Sequence, residues 1–149
     1  MSEFASTTAF ELVRRLGAAG PDAPSAYLLV AEDVAAQAVQ ADIAAELEVQ
    51  LGVDLRTLAA SDVRLDGLES AFAPGPVRTA VLLTMDRWTP RLIDSLDRNI
   101  VFVMRAGTVL LLANREIAER ALAAAPSLRN RLTDVLEIRP EEESRGASA

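Results

Sequence analysis

The sequence predicts an α/β domain: a three-layer sandwich built on a five-stranded parallel sheet. Three observations carry that reading. Five short apolar runs alternate with segments of helical periodicity, the pattern of strands joined by crossover helices. The central runs, such as Ala26–Ala31 and Thr108–Ala113, are continuous rather than alternating, as in strands covered on both faces. The chain has 149 residues, 50% of them hydrophobic, which suits one domain with a sizeable core.

The elements follow in order. Residues 8–16 read as a short amphipathic helix. Thr8 and Glu11 have capping-box spacing, and Leu12, Val13 and Leu16 form its apolar face. Gly17 and the stretch Gly20-Pro21-Asp22-Ala23-Pro24 end it. Ala26–Ala31 is the first strand. A helix over about 33–51 carries Val39, Ile43, Leu47 and Leu51 at a spacing of four, with Gly52 just after. Val53–Leu58 alternates, which places the second strand at an edge. Residues 61–72 read as a helix ending before Pro74-Gly75-Pro76, and Val77–Met85 as the third strand. Thr89-Pro90 starts a helix, with Thr as N-cap and Pro at the first helical position. It runs to about Arg105, presents Leu92, Ile93, Leu96, Ile100, Val103 and Met104, and is closed by Gly107. Thr108–Ala113 is the fourth strand. Asn114 starts a helix to about Ala125, ended by Pro126. Ser127 opens a short helical turn, and Val135–Ile138 is the fifth strand. Residues 1–139 thus form one domain, and the polar tail 140–149 is expected to be disordered.

What the chain lacks bounds its chemistry. It has no lysine, histidine or cysteine, and all 15 basic residues are arginine. Ser-His and Cys-His nucleophiles need histidine, Schiff bases need lysine, and zinc sites almost always use Cys or His. Carboxylates, hydroxyls, arginines and backbone amides remain. No cofactor and no metal site is expected. The net charge of −7 argues against nucleic acid as a partner and against a polybasic membrane contact. No apolar run approaches the length of a membrane span, and Met1-Ser2-Glu3-Phe4 lacks the basic start of a secretory signal, so a cytoplasmic protein is expected.

In open parallel sheets ligands sit outside the carboxyl ends of the strands. The residues there are Glu32-Asp33, Ala59–Ser61, Asp86-Arg87-Trp88, Asn114-Arg115 and Arg139. The third strand, Val81-Leu82-Leu83-Thr84-Met85-Asp86, ends in an acid like a Walker B strand. The fourth ends in Asn114, where ATPases of the AAA type carry a polar sensor. Leu96-Asp97-Arg98-Asn99, then Ala125-Pro126-Ser127-Leu128-Arg129-Asn130-Arg131-Leu132, then Val135-Leu136-Glu137-Ile138 complete the pattern. Over roughly residues 10–139 the chain resembles the inactive STAND domains, relatives of P-loop NTPases found in bacterial conflict and immunity systems. The resemblance implies a P-loop NTPase-like strand order 5-1-4-3-2, a degenerate nucleotide site at Glu32, Asp33, Asp86 and Asn114, and a non-catalytic interaction or signalling module with a protein partner. Only ten residues follow Arg139, so no helical lid of the AAA kind is expected.

The departure from an active NTPase lies after the first strand. No glycine occurs between Gly20 and Gly52, so the turn cannot easily wrap its amides around phosphate. No lysine is present to meet a terminal phosphate. Asp33 is expected as the N-cap of the following helix, where its charge occupies the end that would attract an anion.

Each residue also has a plainer reading. Asp86 is a relic metal acid, a solvated loop residue or a helix N-terminal cap. Asn114 is a sensor or a helix N-cap. Glu32 and Asp33 are a Mg²⁺ pair or surface charge. Arg129 and Arg131 face a partner carboxylate or water. Trp88 is a contact anchor or packs under its own loop. A homo-oligomer is also open. Two other functions stand beside the interaction module. A receiver-like phospho-acceptor would use Glu32, Asp33 and Asp86 but has order 2-1-3-4-5 and needs a lysine. A small Mg²⁺-dependent carboxylate enzyme would use Glu32, Asp33 and Asp86, although Asp33 and Asp86 fall about 10 Å apart by strand spacing.

Overall fold

The apolar runs pair into one sheet in which every strand is parallel to its neighbours. The structure, a computed structural model, describes residues 4–19, 25–60, 79–104 and 107–140. The strands are β1 (Ala5–Thr8), β2 (Ser25–Val30), β3 (Asp54–Ala59), β4 (Thr79–Met85), β5 (Thr108–Ala113) and β6 (Asp134–Arg139). The helices are α1 (Ala9–Ala19), α2 (Ala36–Glu46), α3 (Pro90–Val103), α4 (Arg115–Ala124) and α5 (Pro126–Arg131). The expected helix at 61–72, the turns at 20–24 and 74–76, the start of the third strand and the tail 141–149 lie outside the described residues.

Among the described residues the sheet has six strands, in the order β1-β6-β2-β5-β4-β3. This corrects the expectation of five strands in the order 5-1-4-3-2. The added strand is β1, which pairs with β6 from Ala5 opposite Leu136 to Thr8 opposite Arg139. Four small residues, Ala-Ser-Thr-Thr, carry no apolar alternation, so strand identity here comes from pairing rather than from pattern. Its Thr8 also serves the next element: the Thr8 hydroxyl accepts from the Glu11 N–H at 3.4 Å, which fixes the start of α1 one residue later than expected.

Register explains the core. Leu28, Leu111 and Leu83 lie side by side across β2, β5 and β4 and point to one face, while Leu29, Leu82 and Leu110 point to the other. All six are buried to within about 1% exposure. The first face is covered by α3, α4 and α5 through Leu92, Leu96, Ile117, Ala121 and Leu128. The second is covered by α1 and α2 through Leu12, Val13, Leu16, Val39 and Ile43. Continuous apolar strands thus satisfy two helical layers at once. Among the described residues no helix is long and apolar enough to cross a membrane.

Several boundaries differ from the sequence reading for local reasons. The helix expected over 33–51 is three pieces: a 3₁₀ turn at Asp33–Ala35, α2, and a π-helical turn at Leu47–Leu51. Gly52 ends it at φ 64°, in the left-handed region that favours glycine, and its N–H bonds back to the Glu48 carbonyl. Inside α3, Asn99 departs from helical geometry (φ −113°, ψ 18°), and its amide donates to the Ser95 carbonyl at 2.8 Å. Helix α5 begins at Pro126, one residue earlier than the expected turn. Its N-terminus is capped from another helix: the Asp97 carboxylate on α3 accepts from the Leu128 N–H at 2.8 Å.

Candidate functional site

Chain direction locates the crevice. After β2 the chain leaves through α2, which packs on the α1 side of the sheet. After β5 it leaves through α4, which packs on the opposite side. β2 and β5 are neighbours, so the two connections diverge between them. This is the topological switch point, where open α/β sheets bind their ligands. A cleft of about 690 Å³ opens there, lined by the ends of β2, β5 and β6 and the start of α4.

Four of the polar residues that line this cleft are engaged in pairs, Asn114 with Asp33 and Arg115 with Glu137. Asn114 follows β5 and is the N-cap of α4: its Oδ1 accepts from the Ile117 N–H at 2.9 Å. The other end of the same amide, Nδ2, donates to both Asp33 carboxylate oxygens, at 3.3 and 3.4 Å. Asn114 therefore clasps the turn after β2 to the turn after β5, across the switch point. Asp33 is not the expected N-cap. Glu32 holds that position with no side-chain cap bond, and Asp33 is the first residue of the 3₁₀ turn. The turn needs no side-chain cap, since the Ala35 N–H reaches the Glu32 carbonyl at 2.9 Å.

Arg115, the first residue of α4, supplies positive charge beside the clasp, and that charge is shared out. Its guanidinium meets Glu137 on β6 at 3.0 Å and Glu119 one turn along at 3.7 Å, and lies over the Phe4 ring at 5.1 Å. Glu137 stands next to Val30 across the sheet, so the pair ties β6 to α4 along the wall of the cleft. Sequence reasoning placed Arg115 at a strand end but missed its pairing with Glu137. The only available signal was that both residues flank the carboxyl edge.

The remaining expected residues are dispersed. Asp86 follows β4 and is exposed. β5 separates β4 from β2, so two strand spacings, about 10 Å, lie between the Asp86 and Asp33 segments. Among the described residues no group of three or more acidic side chains is arranged to hold a metal ion. Trp88 is half-buried against the core on the α3 side, and the Arg120 guanidinium covers its ring at 4.3 Å. Arg129 and Arg131 are exposed on the last turn of α5, just before β6 begins. They therefore sit at the amino ends of the strands, whereas Trp88 sits at the carboxyl ends. The structure does not gather them into one patch.

Fold and site together define a class: an all-parallel α/β domain whose switch-point crevice is bridged by its own side chains. Neither a scan against protein-family models nor a search of curated proteins finds a match for this chain.

Proposed function

We propose that the chain is a non-catalytic protein-interaction or signalling module with a degenerate P-loop NTPase-like fold, of the inactive STAND kind, acting in the cytoplasm of a bacterium as part of a conflict or immunity system. The observation that carries this reading is the Asn114–Asp33 clasp. An NTPase seats its phosphates on glycine-rich amides at the start of the helix after this strand. Here that place holds an acidic 3₁₀ turn without glycine, pinned from the neighbouring strand end. Glu32 and Asp33 repel a triphosphate, and Arg115 is drawn toward Glu137. The module works by docking a protein partner, and Trp88 at the carboxyl edge and the Arg129/Arg131 turn at the opposite end are separate contact points. The degenerate site positions, Glu32, Asp33, Asp86 and Asn114, then act as rim charge and caps.

Calorimetric titration of the chain with ATP and with GTP in the presence of Mg²⁺ is the test. The expected result is no heat of binding. Micromolar affinity for either nucleotide overturns the reading.

The receiver-like alternative weighs less because β5 lies between β2 and β4, where a receiver order sets those strands side by side. The carboxylate-enzyme alternative weighs less because the same strand keeps Asp33 and Asp86 apart.

A further inference from the structure

The helices differ in what they show to water. α3 and α4 turn charges outward, Arg91, Asp94 and Arg98 on one and Glu116, Glu119 and Arg120 on the other. The segment built on α2 does not. Its sheet-facing side is Val39, Ile43 and Leu47. Its outermost ridge, at the helical spacing of three and four, is Val34, Ala38, Ala41, Ala45 and Val49, all exposed and none charged. Val34 is 90% exposed and Val49 81%, and among the described residues only Phe10, at 46%, joins them as an exposed large hydrophobic side chain. Phe10 flanks the same segment, since the Gln50 amide donates to its carbonyl at 3.3 Å. The π-helical turn at Leu47–Leu51 completes the ridge. One α-helical turn beyond Ala45 falls between Glu48 and Val49, whereas the wider π turn brings Val49 into line and swings Glu48 to the flank.

We infer that this ridge packs antiparallel against the same ridge of a second copy of this chain, about a twofold axis that passes between Ala41 and Asp42. The order of the ridge selects this occupant. A twofold contact must be self-complementary, residue i meeting j and j meeting i. Read from either end, the ridge is Val, Ala, Ala, Ala, Val. Val34 and Val49 are equidistant from the axis, as are Ala38 and Ala45, so antiparallel contact sets each opposite its counterpart and brings the two Ala41 residues together. Alanines in the middle let the helices approach to about 8 Å, and the valines close the ends. Gln37 and Glu48 share one flank of the ridge, so each Gln37 amide comes near Glu48 of the other copy, while the two Glu48 residues stand about 20 Å apart. Asp42 is half-buried, has a partner within its own chain and is turned off the ridge. The ridge is about 24 Å long and one helix, about 10 Å, wide, which places the contact at the small, reversible end of interface sizes. It is independent of the proposed partner docking, since it uses neither Trp88 nor the Arg129/Arg131 turn.

Light scattering and sedimentation over a concentration series test it. The expected result is a concentration-dependent rise from the 15.9 kDa chain mass towards twice that value. A particle that stays at the chain mass up to about 1 mM, the weak end of the affinity scale, overturns the inference and leaves the ridge to a different partner. Ala41→Glu and Ala41→Arg each set like charges beside the axis. Each is expected to weaken association at least tenfold with its melting curve little changed, and an equimolar mixture of the two restores it. A dimer indifferent to both variants is formed elsewhere and overturns the inference. The chain has no cysteine, so single-cysteine variants under mild oxidation read the direction of packing. Ala41→Cys is expected to cross-link with itself. Val34→Cys is not, because its two copies stand about 22 Å apart, against a disulfide reach of about 7 Å between Cα atoms. A mixture of Val34→Cys and Val49→Cys does cross-link. If Val34→Cys joins to itself as readily as Ala41→Cys, the helices are not antiparallel and the inference fails.

Discussion

Asn114 uses the two ends of one amide for two tasks, and substitutions can separate them. Asn114→Ala removes both. Loss of the α4 cap costs about 1 kcal/mol. Loss of the clasp adds no more than about 0.5 kcal/mol, because the bonds to Asp33 are long and exposed. The sum is about 1–1.5 kcal/mol. Asn114→Ser keeps an acceptor for the Ile117 N–H and gives up only the reach to Asp33, so it should cost about 0.5 kcal/mol. Asn114→Asp also keeps an acceptor, and its charge suits a helix N-terminus. It sets one carboxylate against another at the separation the amide now spans, 3.3–3.4 Å. Two unit charges that close repel by about 1 kcal/mol in water, and exposure screens this further.

The sign with pH separates this from a simple packing loss. In the Asn114→Asp variant the facing carboxylates raise the pKa of one of them above its unfolded value. The folded state then holds the proton longer than the unfolded state does. Relative to the parent chain, the variant is therefore best off at about pH 4 and loses stability as pH rises through the raised pKa. Urea denaturation at several pH values, followed by circular dichroism, measures this. Adding Asp33→Asn rebuilds the clasp with its ends exchanged and should recover most of the loss at about pH 7, where the remaining carboxylate is ionised. If Asn114→Asp tracks the parent chain at every pH, or if the exchanged pair recovers nothing, the clasp does not hold the two turns together and the account of the crevice fails.

Other variants probe the supports around the site. Asp97→Ala strips the cap from α5 and should cost about 1 kcal/mol in urea denaturation, while Asp97→Asn, which keeps an oxygen toward the Leu128 N–H, should recover most of it. Gly52→Ala meets no atom within 4 Å, so its whole cost comes from the left-handed backbone at φ 64°, about 1–2 kcal/mol, and Gly52→Asn should cost less. Arg120→Ala uncovers the ring of Trp88, the single tryptophan, and should shift its fluorescence to longer wavelength with a stability loss of about 0.5–1 kcal/mol; an unchanged spectrum would show that Arg120 does not shield the ring in solution.

The central strands were legible because two-sided burial writes itself into a continuous apolar run, as in Thr108–Ala113, where all six residues are buried. Caps were legible where the capping residue is a neighbour in sequence, as with Asn114 and Ile117. Long-range caps were not: Asp97 bonds an amide 31 residues away, and no local pattern announces it. β1 was not legible either, because an edge strand of four small residues needs only a partner, here β6 at the far end of the chain. Of the candidate site, the location was readable and the bonding was not. Open-sheet logic selected Glu32, Asp33, Asp86 and Asn114, yet only the ladder joining β2 to β5 sets Asn114 beside Asp33 and leaves Asp86 outside.

The crevice exists whatever side chains surround it, because two connections that leave adjacent strands for opposite faces must part there. What the side chains decide is whether the opening stays available. A phosphate loop keeps it open with glycines, whose bare amides converge on an anion. In this chain Asp33 brings a negative charge to that spot, and Asn114 meets it with the amide end left over from capping α4. Restoring glycine alone would leave the acid, and neutralising the acid alone would leave a turn whose Ala35 N–H is already spent on the Glu32 carbonyl. On the proposed reading, nucleotide chemistry is thus blocked twice, once through charge and once through backbone. That double closure is what makes a docking role the better reading of the carboxyl edge than a weakened enzyme.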